Sequence, residues 1–157
     1  MHETSQMSRA TRRIRDLAAQ LIAYESESGA GASSGVGTPA AFHVSEKLRP
    51  QLAMLMGSAG FRALISRALA LASAEVPWLR AVHVKADGSL IRFEELGGRL
   101  KPEDFLEGKV VLLAEMLGLL VAFIGEELTL RQMREIWPKF PFNAWKFGNG
   151  VTNEKAR

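Results

Sequence analysis

The chain predicts a mainly α domain, small and orthogonal or bundle-like, around a central buried helix at about 110–125, with one inserted β-hairpin at about 81–94. Three observations predict it. The run Val110 to Gly125, VVLLAEMLGLLVAFIG, is apolar except for Glu115. Apolar residues recur at spacings of three and four both before and after that run. Between residues 81 and 94 the period changes to two around an Asp87-Gly88 turn.

Composition sets the bounds. With 157 residues, 47% of them hydrophobic, the chain can bury one substantial core. The absence of cysteine removes disulfides, thiol chemistry and cysteine-ligated metals together, and a cytoplasmic setting is the expectation. The N-terminal MHETSQMSRATRRIRDLAAQ has no continuous apolar core followed by a small-residue cleavage site, so no export signal is expected. The net charge is +3, but residues 102–127 balance to −5 and residues 128–157 to +4. Neighbouring segments of opposite sign attract each other, so a pI of 9.5 says little for nucleic acid by itself.

The organisation reads as four parts: a basic amphipathic helix over 1–25, a flexible Gly/Ser linker over 26–41, a helical domain with an aromatic C-terminal segment over 42–147, and a disordered tail over 148–157. In the first part, over residues 7–24, Met7, Ala10, Ile14, Leu17, Ala18 and Leu21 share one helical side. Arg9, Arg12, Arg13 and Arg15 form a basic face opposite, suited to an acidic partner, to anionic lipid or to a phosphate backbone. No Trp or Phe lies on the apolar side, and Asp16 and Glu25 dilute the charge, which disfavours the membrane. The linker GAGASSGVG follows no strand and lacks the Gly-Lys-Ser/Thr ending of a phosphate loop.

Ser45 is placed to cap a helix to about Met56 with Leu48, Leu52, Leu55 and Met56 inward, and Pro50 argues for a start nearer 49 or 50. Gly57 suits a stop and Ser58 a fresh cap. The next helix turns Phe61, Leu64, Ile65, Ala68, Leu69 and Ala72 inward, and Pro77 closes it. In the hairpin, a two-residue turn pairs Ala86 with Ser89, which sets Val84 opposite Ile91 and Val82 opposite Phe93. Pro102, Glu103 and Asp104 make a helix start that Gly108 separates from the central helix.

The central run is apolar on every side, as a core or membrane helix is. Sixteen residues rise roughly 24 Å, short of the ~30 Å hydrocarbon layer, which favours a buried helix in water. Its small residues Ala114, Gly118 and Ala122 would admit a second backbone, and Glu115 should lie at a seam within reach of a cation. Thr129 and Gln132 spell a capping box for a last helix over 130–137. Then five of the twelve aromatics, Trp137, Phe140, Phe142, Trp145 and Phe147, fall within eleven residues. Such rings either wrap back over the helices or stand bare for a partner.

No reactive constellation emerges. His2, His43 and His83 lie far apart with no metal spacing, and HExxH and GxSxG are absent. The pairs Glu94-Glu95, Glu103-Asp104 and Glu126-Glu127 stand at element ends, where capping explains them. The expectation is therefore a non-enzymatic protein-protein interaction module, a small adaptor or assembly subunit that binds another protein or a second copy of itself. Trp137, Phe140, Phe142, Trp145 and Phe147 are the expected partner-binding residues, with no cofactor and no metal. One alternative is nucleic-acid binding through Arg9, Arg12, Arg13 and Arg15. A further alternative is an enzyme or small-ligand binder with a pocket between the hairpin and the central helix.

Overall fold

The computed structural model describes residues 9–28, 42–142 and 145. Helix α1 spans Arg9–Ser28 and α2 His43–Glu75; a 3-10 turn follows at Pro77–Ala81. Strands β1 (His83–Val84) and β2 (Leu90–Ile91) pair antiparallel, and α3 (Phe93–Gly97), α4 (Pro102–Ile124) and α5 (Glu126–Ile136) complete the order. The domain is mainly helical with one inserted hairpin, as the periodicity predicts.

Helix α4 is the axis, packed against α1, α2 and α5. Leu112, Leu113, Met116 and Leu117 are removed from water entirely. Each such burial contributes about 1.5–3 kcal/mol, which is why the most apolar run lies innermost. The helix begins at Pro102, with Glu103 and Asp104 in its first turn, and so exceeds the expected 110–125. Gly108 does not break it. Trp78 lies against this glycine, where a Cβ would come within 2.3 Å of Trp78 Cζ2. At the other end the helix is not covered all round. Ala122 and Phe123 are exposed, and nothing lies within 4 Å of a Cβ built at Gly118. The small-residue face therefore receives no neighbouring backbone at Gly118.

The two helices expected around Gly57 are both present as the two limbs of α2, and they meet at an elbow where Gly57 leaves helical geometry at φ 83 and ψ 158. That conformation suits glycine. The span starts at His43, earlier than Ser45, and holds Pro50 in its interior. Burial of Val44, Leu48 and Leu52 on this first limb offsets the backbone hydrogen bond that proline removes. The second limb buries Phe61, Leu64, Ile65, Ala68, Leu69 and Ala72, the predicted set. Leu55, expected inward, is partly exposed because the elbow ends the limb less than a turn after it. By length and composition alone α2 is apolar enough to cross a membrane; here one side of it lies in the core.

The hairpin differs from its expected register by one residue. His83 pairs with Ile91 and Val84 with Leu90, and the strands stop there. Gly88 N donates to Lys85 O at 2.9 Å and Lys85 N to Ser89 O at 2.8 Å, so three residues, Ala86 to Gly88, make the turn. Gly88 takes φ 89, the left-handed bulge position of a three-residue loop. Asp87 fixes the turn by accepting from both Ser89 N and Ser89 Oγ. The slip moves Phe93 off the ribbon and into α3, where it stacks on Phe42 at 5.1 Å. Trp78 and Phe105 close the same aromatic cluster at 5.6–5.9 Å, with Phe93 and Phe105 at 5.1 Å.

The capping box at Thr129 does not form either. Helix α5 starts at Glu126, directly after Gly125, and Thr129 is already inside it, donating Oγ1 to Gly125 O at 2.7 Å. Two glutamates in the first turn favour this earlier start, since they face the positive end of the helix dipole. Gln132 instead accepts from Gln51 Nε2 at 2.7 Å.

Helix α1 runs past residue 24 to Ser28, so the first residues of the expected linker are helical. Ile14, Leu17, Ala18 and Leu21 are buried, joined by Ile22, in the same core as α4. Met7, residues 29–41 of the expected linker, and the 148–157 tail lie outside the described residues.

Candidate interaction surface

The expected basic face is divided. Arg15 forks onto Glu75 at the end of α2, with Nη1–Oε2 at 2.8 Å and Nη2–Oε1 at 2.6 Å. Arg13 lies over the ring of Trp145 at 5.0 Å, and Arg12 is exposed. The side chain of Arg9 lies outside the described residues. Glu75 is held below the ordinary glutamate pKa by the Arg15 hydrogen bonds, while burial opposes the shift. Glu115, half-buried on α4, is pushed up by loss of water, and the charge of Arg15 offsets this only in part. A cation does reach the seam beside Glu115, as expected, but its hydrogen bonds are committed to Glu75.

The aromatic tail turns inward. Trp137, Phe140 and Phe142 are buried in the core and Trp145 is half-buried against it; Phe147 lies outside the described residues. Tyr24 of α1 meets Phe140 edge-on at 5.3 Å, and Phe140 packs on Phe142 at 4.6 Å. Trp137 Nε1 donates at 3.0 Å to Glu25, a carboxylate only 4% exposed that also pairs with Lys47. Bare rings are costly in water, and α1 covers this segment through Tyr24 on Phe140, Glu25 on Trp137 and Arg13 over Trp145. Trp137, Phe140 and Phe142 therefore form no open patch.

The large apolar side chains left exposed among the described residues are Met54, Leu55, Ile91, Leu106 and Phe123, and three of these lie within three residues of Gly57 or Gly125, at one end of the molecule. Lys47 meets Glu25 beside Trp137, and Gln51 reaches Gln132 and Glu135. Helix α2 therefore runs antiparallel to α5, and three or four residues further its Met54 and Leu55 come level with the first turns of α5. Met54 is 86% exposed and Leu55 42%. Phe123, two residues before the Gly125 turn that leads into α5, is 67% exposed. Neither 54–60, MLMGSAG, nor 116–125, MLGLLVAFIG, contains a charge. Glu127 and Arg131, opposite in sign and four residues apart on α5, are both exposed beside this end. Sequence reading missed it by assigning Leu55 and Phe123 to the core; the signal was Met54, apolar but off the Leu48–Leu52 stripe.

An open groove of about 430 Å³ lies between the second limb of α2, the 3-10 turn and β1. It is bounded by α2, where the sequence suggested the central helix. His83 lies on its rim, and among the described residues no group of three or more metal-ligating side chains gathers anywhere.

Fold and surface define a small helical domain with a hairpin insertion. No protein-family model, curated protein or solved structure matches this chain.

Proposed function

We propose that this chain is a non-enzymatic interaction module that associates with a second copy of itself through the end formed by Met54, Leu55 and Phe123. The observation that carries the reading is that Met54 and Phe123, at this end, are the two most exposed large apolar side chains among the described residues. The choice of a second copy rests on charge. A two-fold contact brings each group against its own copy, and this surface carries no charge to repel itself. Glu127 and Arg131 at its edge can then pair across the axis. A stable interface buries about 800 Å² per partner, more than three side chains supply, so the association is weak and concentration-dependent. Sedimentation velocity over a range of protein concentrations tests it. The wild type should shift toward dimer as concentration rises, and Phe123→Glu and Met54→Glu should each remain monomeric with unchanged circular dichroism. A wild type that stays monomeric at the highest concentration, or variants that dimerise equally well, would overturn the reading.

A further inference from the structure

The groove beside the hairpin has a chemistry that the self-association surface does not use. Its floor is apolar: Leu69, Leu79 and Val82 are buried and Val84 is half-buried. Its rim is polar and carries no acid. Arg80 and His83 are exposed on one side, with the Ser66 hydroxyl on the other. Ser73, also on the α2 side, donates its hydroxyl to Leu69 O at 2.7 Å and so turns only lone pairs outward. Among the described residues Arg80 forms no ion pair, as is also true of Arg12, Arg62, Arg67, Arg131 and Arg134; of these it is the one that lines the groove. The nearest acid along α2, Glu75, is occupied by Arg15. A guanidinium kept free at the mouth of an apolar trough of this size is an arrangement for a ligand with one negative end.

We propose that this groove binds a small organic carboxylate with a short hydrocarbon chain. Arg80 takes the carboxylate in its planar fork, His83 supplies a second N–H donor, and the chain lies along Leu69, Leu79 and Val82. Two features set the class. A cationic ligand would meet Arg80 with no carboxylate to receive it, and a ligand without a chain would leave the apolar floor wet.

Sodium octanoate is the probe, with octylamine and sodium acetate as controls, each titrated into the full-length protein and followed by isothermal calorimetry and amide chemical shifts. Octanoate should bind saturably and shift amides of residues 66–73 and 79–84, while octylamine and acetate bind at least about ten-fold more weakly, octylamine for want of the charge-assisted contact and acetate for want of the buried chain. Arg80→Gln should weaken octanoate by a similar factor. Ala70→Trp, at an exposed position on the wall, should block it by filling the trough. Both positions are on the surface, and circular dichroism checks that the fold is kept. Equal binding of octylamine, or unchanged octanoate affinity in both variants, would overturn the proposal. Octanoate that is lost in Phe123→Glu but retained in Arg80→Gln would place the binding at the apolar end and overturn it too. Self-association can fail without touching this result, because the titration is run at dilution and reads different residues.

Discussion

Trp137 donates its indole N–H to the buried carboxylate of Glu25 across 112 residues of sequence. The same oxygen receives Lys47, while Oε1 has no partner. A buried carboxylate tolerates such a place only while its remaining bonds hold. Trp137→Phe keeps most of the ring but removes the donor, and should cost about 1–3 kcal/mol in urea unfolding. Combined with Glu25→Gln, the loss should be clearly less than the sum of the single losses. Strict additivity would mean that the contact contributes nothing.

Leu17 tests whether α1 belongs to the core or merely rests on it. It is fully buried, as is Leu113 of α4. Leu17→Ala should cost about 2–5 kcal/mol, comparable to Leu113→Ala, and shift the whole unfolding transition together. A separate early transition in the Leu17 variant, with the main one unmoved, would show that α1 detaches by itself.

The two glutamates beside Arg15 predict opposite pH effects. Glu75 has a lowered pKa, so its stabilisation is present above the ordinary glutamate value and is lost as pH falls through the lowered one. Glu115 has a raised pKa from burial, so its charged form weakens the fold at neutral pH, and the cost lifts as pH falls through the raised value. Thermal melts from pH 7 downward should show a small rise before the acid loss. Glu115→Gln should be more stable than wild type at pH 7, by less than about 1 kcal/mol because the group is half in water, and should lack the rise. Glu75→Gln should be less stable at pH 7 and less sensitive to acid. A Glu115→Gln protein less stable at pH 7 would contradict the desolvation argument.

The glycines of α4 make a contrasting pair. Gly108→Ala drives a Cβ into Trp78 at 2.3 Å and should destabilise by about 1–3 kcal/mol. Gly118→Ala meets nothing within 4 Å and should stabilise by up to about 1 kcal/mol through helix propensity. Differential scanning calorimetry of the two variants should show melting shifts of opposite sign; equal shifts would refute the packing account.

Much of this fold was legible where period and burial agree. The second limb of α2 matched residue for residue because one apolar stripe allows one solution. The centre of α4 was equally plain. Local signals failed where tertiary contact outweighed them. Gly108 looked like a break until Trp78, thirty residues earlier, was seen to need the space. The Asp87-Gly88 pair suggested a two-residue turn, yet Asp87 holds Ser89 and widens the turn to three. The site was less legible than the fold. Dense aromatics at 137–147 allowed either a wrap back over the helices or a bare surface, and only the contact of Phe140 with Tyr24 of the chain's own first helix decides for that ring. The scattered cluster of Phe42, Trp78, Phe93 and Phe105 had no local signature at all. Arg80 has no local signature either, because what marks it is a place on a groove lined without acids, a property of space and not of spacing.

The clasp between α1 and the tail also sets an order of events. The helix bearing Tyr24 and Glu25 leaves the ribosome more than a hundred residues before the rings that complete its seat. Until Trp137 and Phe140 emerge, its oily side has no finished berth, so closure must wait for nearly the whole domain to be synthesised. A nascent chain halted before residue 137 should accordingly be a preferred client for chaperones that hold exposed helices.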